Sequence, residues 1–212
     1  MLAKYLKAFS EKILLPICEK IPPIITPNQI TGIGLVFSLL CGVAFGLGKI
    51  QCAGLLLLSS GFFDLLDGAY SRSKDQATQF GAFWDSTIDR YSDIIVMGGI
   101  TIYFARSGQL LYVLLSVITT AGFVMISYTK ARAENIIRSC TVGLMERPER
   151  ILLLSAGSMI NRLKPTMWIL AILCNQTAVH RIWFTYKKIR YEETKRGSER
   201  SSRRGEGYYG SI

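Results

Sequence analysis

Residues 30–68 read ITGIGLVFSLLCGVAFGLGKIQCAGLLLLSSGFFDLLDG. Two apolar runs, Ile30 to Gly48 and Gln51 to Leu66, are parted by one charge, Lys49, and the second closes on two acids, Asp64 and Asp67. A helix needs about 20 mostly apolar residues to cross a hydrocarbon core roughly 30 Å thick. Both runs come close to that length, so the chain reads as a membrane protein before anything else is known of it. Working outward, further apolar stretches run from Ile94 to Ala105 with a polar lead-in, Gln109 to Tyr128, Ile151 to Ile160, and Met167 to Phe184. That makes six spans, the fifth of them short. Half of the 212 residues are hydrophobic, which accords with this reading. The expected fold class is an all-α integral membrane protein with six transmembrane helices behind an N-terminal amphipathic interfacial helix.

A formal charge of +10 can signal nucleic acid. Here the basic residues alternate with the apolar runs, which a soluble nucleic-acid binder has no reason to show, so no nucleic-acid partner is expected. Lys4, Lys7, Lys12 and Lys20 precede span one; Arg72 and Lys74 follow span two; Lys130, Arg132, Arg138, Arg147 and Arg150 follow span four; eight more follow span six. The opposite loops hold only Lys49, Arg106, Arg162 and Lys164. By the positive-inside rule both termini are expected in the cytoplasm, as an even number of spans requires.

Three regions follow. Residues 1–21 carry Leu2, Tyr5, Leu6, Phe9, Ile13, Leu14 and Ile17 at helical steps with basic residues between, and so read as an amphipathic helix. Two placements suit it, in the membrane interface or packed on the bundle. Pro22 and Pro23 end it, and Thr26-Pro27-Asn28 starts the six-helix catalytic domain, residues 22–186. Residues 187–212 are charged and rich in Gly and Ser, and are expected to form a basic, mobile cytoplasmic tail. No removable targeting peptide is expected. The five cysteines show no CxxC spacing and read as small structural hydrophobes. His180, the only histidine, reads as a helix residue rather than a metal ligand.

The chemistry is concentrated where span two ends and span three begins. Asp64 and Asp67 are three apart, Asp85 and Asp89 four apart, and each spacing puts both acids on one helix face. The short connection after Asp67 brings the faces together at the cytoplasmic boundary. Two carboxylates at 4 Å repel by about 4 kcal/mol at an effective dielectric near 20. Hard divalent cations relieve this with oxygen ligands, and a pair of them forms a clamp suited to phosphoryl chemistry. Gly68 and Gly81 stand beside the acids, where a missing side chain lets a diphosphate approach the backbone.

The complete string, Asp64-x2-Asp67-Gly68-x2-Ser71-Arg72-x8-Gly81-x3-Asp85-x3-Asp89, resembles the signature of the CDP-alcohol phosphotransferase family. The resemblance extends from Thr26 to about Tyr186. One position departs, Ser71 standing where the family usually has alanine. The resemblance implies that Asp64, Asp67, Asp85 and Asp89 hold two metal ions, usually magnesium with manganese as the alternative, and that Asp89 is the general base for an acceptor hydroxyl. It further implies that Asp67, Gly68, Ser71, Arg72 and Gly81, with Asn28 and Thr78, hold the CDP moiety of a CDP-lipid. A homodimer in the cell membrane, multi-pass and with its active site on the cytoplasmic side, is expected on the same ground.

Lys130, Arg132, Arg147 and Arg150 gather in the loop after span four, and Arg181 lies within span six, where a bare arginine is costly. Guanidinium groups match phosphate oxygens, so these five read as a cage for an anionic acceptor, or else as topogenic charges paired with Glu134, Glu146 and Glu149. Asp93, four beyond Asp89, orients an arginine or pairs within the bundle. The strings Lys130-Ala-Arg-Ala-Glu134 and Glu146-Arg-Pro-Glu-Arg150 resemble the branch that makes phosphatidylinositol phosphate or its archaeal ether-lipid counterpart. That resemblance implies transfer from CDP-diacylglycerol, or an ether analogue, to inositol 1-phosphate. Glycerol 3-phosphate, serine or a soluble CDP-alcohol are the alternatives within the class. A cation carrier is the alternative outside it, and Gly68 and Gly81 have no role in a simple cation site.

Overall fold

The computed structural model describes residues 14–206 apart from Pro23 and Arg138, with side chains through Lys195. Helices α1 (Pro27–Gly46), α2 (Ile50–Ser73), α3 (Gln79–Arg106), α4 (Leu110–Glu134), α5 (Arg147–Met159) and α6 (Leu163–Glu206) follow a helical stretch over residues 14–20. No strand occurs among the described residues. The first helix starts as its sequence suggests: Pro27 occupies the first turn, where its missing N–H costs nothing, and the Thr26 N–H donates to Gln29 Oε1 at 2.9 Å. Tight turns join α1 to α2 and α3 to α4, each through a glycine with positive φ, Gly48 at 79° and Gly108 at 67°.

Each helix packs mainly on two others, and the contacts close a ring in the order α1, α2, α5, α6, α4, α3. Phe45, Met97, Ile100, Phe104, Met167 and Leu170, all fully buried, fill its centre. Successive helices alternate in direction, so one end of the ring collects the start of α1, the end of α2, the starts of α3 and α5, the end of α4 and the middle of α6. The functional residues lie at that end.

Among the described residues, α1, α2 and α4 are long and apolar enough to cross a membrane. The remaining expected spans look different for identifiable reasons. The third helix begins at Gln79, well before the apolar run at Ile94, because the polar lead-in is itself helical and presents its acids along one face. Helix α5 has 13 residues, roughly 20 Å, and is shorter than a hydrocarbon core. Helix α6 has 44 residues, roughly 66 Å, and continues to Glu206 through most of the segment expected to be a mobile tail. Composition argued against a packed core there, but Lys, Arg and Glu are good helix formers and extend a helix already nucleated upstream. Residues 1–13 of the expected amphipathic helix lie outside the described residues. In its described part, Leu14 and Cys18 are buried against Ile30, Leu66, Ala69 and Tyr70.

Helices α1 and α3 cross backbone against backbone. A Cβ on Gly42 would stand 2.8 Å from the Ile95 carbonyl oxygen, and one on Gly99 would overlap the Gly42 backbone. Gly42 and Gly46, four apart on α1, supply the small-residue face that membrane helices use to approach closely. Gly99→Ala should therefore cost about 1–3 kcal/mol by overpacking and lower the thermal unfolding midpoint in detergent. Gly98→Ala is the matched control, since a Cβ there meets nothing within 4 Å, and it should leave the midpoint unchanged or slightly raised.

Candidate active site

Thr78 opens α3, its side chain accepting the Gly81 N–H at 2.9 Å. This cap sets the start of the helix and hence which face Asp85 and Asp89 present. From α2 come Asp64 and Asp67, and oxygens of Asp64, Asp67 and Asp85 lie within 4.8 Å of one another. Asp67, only 5% exposed, accepts a hydrogen bond from the Thr31 hydroxyl of α1 at 2.5 Å. The buried Oδ1 of Asp85 has no hydrogen-bond partner. Asp89, one turn further along α3, is tied to this group by Arg147: the guanidinium pairs with Asp64 and, at 2.5 Å, with Asp89. The ligand set is all carboxylate oxygen, with the buried Oδ1 atoms of Asp85 and Asp89 both lacking a hydrogen bond and that of Asp89 in ion-pair contact with Arg147, and that combination fits a hard divalent cation.

Two cavities flank the acids. The first, of about 530 Å³, is lined by Asn28, Asp67, Gly68, Ser71, Arg72, Thr78 and Gly81, every residue expected to hold the nucleotide, together with Thr31, Gln76 and Asp85. Gly81 is confined as well as open: a Cβ there would stand 3.0 Å from Thr78 Oγ1 and 3.5 Å from Asn28 Oδ1. At Gly68 it would stand 3.3 Å from Arg72 Nη1, so the glycine leaves room for that guanidinium.

The second cavity, of about 370 Å³, is lined by Asp89, Arg90, Lys130, Glu134, Glu146, Arg147, Arg150 and Arg181. Four of the five cations expected for an acceptor are thus brought together. Arg132 is not among them and is exposed elsewhere. Lys130 and Glu134, four apart on α4, share the cavity face, and Arg132, two from each, points to the opposite side. The four also differ in their commitments. Arg181, 1% exposed, donates to the Val142 carbonyl at 2.9 Å, the Ile126 carbonyl at 2.7 Å and Glu146 at 3.3 Å. Arg150, 3% exposed, pairs with Asp93 at 3.1 Å, donates to the Phe123 carbonyl at 3.3 Å and lies over the Phe123 ring. Both guanidinium groups are built into the wall. Lys130 reaches Glu146 at 3.9 Å and is more than a third exposed.

Sequence reasoning missed Thr31, Gln76 and Arg90 as lining residues, whereas Glu146, expected as a partner of these cations, pairs with Lys130 and Arg181. Thr31 follows Asn28 by three, so helical spacing carried a signal for it. Arg90 directly follows Asp89 and carried none, because adjacent helix positions face apart by about 100°. His180 is exposed on α6 with its ring 6.5 Å from that of Trp183 and lines neither cavity. Cys18, Cys41, Cys140 and Cys174 are buried and free.

Residues 24–186 match the CDP-alcohol phosphatidyltransferase family. The chain belongs to that family. It is an α-helical membrane transferase, and the two cavities flank the signature acids of its family. It is 37% identical over 167 residues to the archaetidylinositol phosphate synthase of Pyrococcus horikoshii, covering 78% of this chain and 86% of that one. The phosphatidylinositol phosphate synthase of Mycobacterium tuberculosis, solved with CDP-DAG bound, superposes with a TM-score of 0.76 at 30% identity, covering 82% of this chain and 94% of that one. Its complex with manganese and citrate gives a TM-score of 0.74 over 82% and 88% of the two chains, at 30% identity.

The Arg150–Asp93 pair makes a testable claim about this transferase's framework. Removing one partner leaves a buried charge unpaired, so Arg150→Ala or Asp93→Ala should each destabilise by about 3–5 kcal/mol in thermal or denaturant unfolding. Replacing both together, Arg150→Met with Asp93→Leu, should recover most of that loss.

Proposed function

We propose that the chain transfers the phosphatidyl group of CDP-diacylglycerol, or of an ether-linked analogue, to inositol 1-phosphate, releasing CMP and forming phosphatidylinositol phosphate. The observation that carries this reading is that one carboxylate group is the common wall of two cavities. Asp67 and Asp85 face the cavity with the nucleotide-binding set, and Asp89 faces the cationic one.

The Arg72 guanidinium and the backbone at Gly68 and Gly81 hold the CDP diphosphate, with Asn28, Ser71 and Thr78 around it. Lys130 and Arg147 attract the acceptor phosphate, while Arg150 and Arg181 hold the walls that position them. Asp89 takes the proton of the acceptor hydroxyl as its oxygen attacks the lipid-bearing phosphorus. The bond from that phosphorus to the CMP oxygen breaks in the same displacement, so no covalent enzyme intermediate is needed. Two divalent cations, magnesium or in its place manganese, held by Asp64, Asp67, Asp85 and Asp89, would offset charge on the transferring group and on departing CMP.

The wider setting is part of the same proposal. Six helices cross the cell membrane, with both termini and the active site on the cytoplasmic side. The N-terminal amphipathic helix lies at the interface, residues 22–186 form the catalytic domain, and the protein is a homodimer. The alternating distribution of basic residues supports the orientation.

Purified protein supplied with CDP-diacylglycerol, magnesium and one acceptor at a time should release CMP with inositol 1-phosphate and stop on chelation of the metal. Turnover with glycerol 3-phosphate but not with inositol 1-phosphate would overturn the choice of acceptor. Asp89→Asn should abolish turnover yet retain CDP-lipid binding, because the amide keeps the shape and cannot accept the proton. Arg72→Ala should raise the KM for CDP-diacylglycerol and Lys130→Ala that for inositol 1-phosphate. Each should lower kcat/KM on the order of 10- to 100-fold, the loss of one charge-assisted hydrogen bond to phosphate.

A further inference from the structure

Arg147 differs from the other arginines around the acceptor-side cavity. Arg150 and Arg181 are held by backbone carbonyls as well as by acids, and Arg90 donates to the Ser86 carbonyl. Among the described residues, Arg147 pairs only with Asp64 and Asp89, both expected metal ligands, and its buried Nε has no hydrogen-bond partner. Its side chain borders both the narrow space among Asp64, Asp67 and Asp89 and the open cationic cavity. The guanidinium therefore stands where a divalent cation would take up the same carboxylates. A metal ion bound at these oxygens competes with the guanidinium for them, because the two positive groups repel at contact distance. Once those oxygens are taken, nothing else retains Arg147, and the adjoining open space is the cavity it already lines.

We propose that Arg147 is a displaceable counter-charge that makes acceptor binding depend on metal loading. Without a divalent cation its guanidinium neutralises Asp64 and Asp89. When the carboxylates take up metal, the side chain turns into the cationic cavity and completes the site for the acceptor phosphate. Its backbone need not move, since Arg147 is the first residue of α5 and only its long side chain changes direction. The phosphate step rests on the acceptor reading given above, whereas the displacement step does not. Because binding couplings are reciprocal, the acceptor should tighten metal binding by the same factor that metal tightens acceptor binding.

Arginine labelling tests both steps without relying on turnover. Wild-type protein in detergent is treated with phenylglyoxal, metal-free or saturated with magnesium or manganese, and modification at each arginine is followed by mass spectrometry. Arg147 should react slowly without metal and severalfold faster with it, while the anchored Arg150 and Arg181 stay slow in both states. A rate at Arg147 that is unchanged or lower with metal overturns the displacement. In the loaded protein, inositol 1-phosphate should slow Arg147 labelling again. Exposure by metal without protection by inositol 1-phosphate would uphold the displacement and overturn the acceptor assignment. Titration calorimetry gives an independent check: metal should strengthen inositol 1-phosphate binding clearly less in Arg147→Ala than in wild type. An equal gain in both overturns the coupling.

Discussion

Four aspartates at one end of a helix ring must be neutralised, and the architecture around them follows from how that is done. At an effective dielectric near 20, each close pair of carboxylates costs about 4 kcal/mol, so four in one partly dry cluster cannot persist uncompensated. The chain offers several compensations at once: a hydroxyl from α1 on Asp67, a guanidinium from α5 across Asp64 and Asp89, and oxygen donors suited to divalent cations. Each comes from a different helix, so the acids act as the centre to which the ends of the helices are drawn. The same concentration of negative charge that is costly in isolation gives the cluster the oxygen ligands that suit hard divalent cations.

The buried arginines serve a different purpose from the one their type suggests. A buried ion pair gains little net stability, because desolvation takes back most of the attraction. It does define register, since only one alignment satisfies it. Arg150 to Asp93 sets α5 against α3 one turn beyond the level where Arg147 meets Asp89, so the two contacts form parallel rungs between the same helices. Arg181 ties α6 to the carbonyl of Ile126 in α4 and to the connection preceding α5. These anchors hold the walls of the cationic cavity in place, whereas Lys130 and Arg147 meet only acidic side chains among the described residues. The glycine crossing of α1 and α3 packs those two helices tightly against each other.

Much of this was legible in the residues. Apolar run lengths, the proline start of α1 and the three- and four-residue spacing of the acids are local features, governed by helix geometry within one or two turns. They determined the helical membrane architecture and the shared face of each aspartate pair, while the resemblance of the full acid string to a known signature pointed to the set that lines the larger cavity, Gly68, Arg72 and Gly81 among them. Tertiary structure alone decided which cations meet. Lys130 and Arg132 are equivalent by composition, yet only Lys130 faces the cavity, because the packed face of α4 is chosen by its contacts with α6 and α3. Arg150 and Arg181 turned out to be anchors because their partners, Asp93, Phe123, Ile126 and Val142, are distant in sequence and adjacent only once the ring closes. A charge's position along the chain limits which membrane end it can occupy, whereas its bonds depend on the neighbours that folding brings within hydrogen-bond reach.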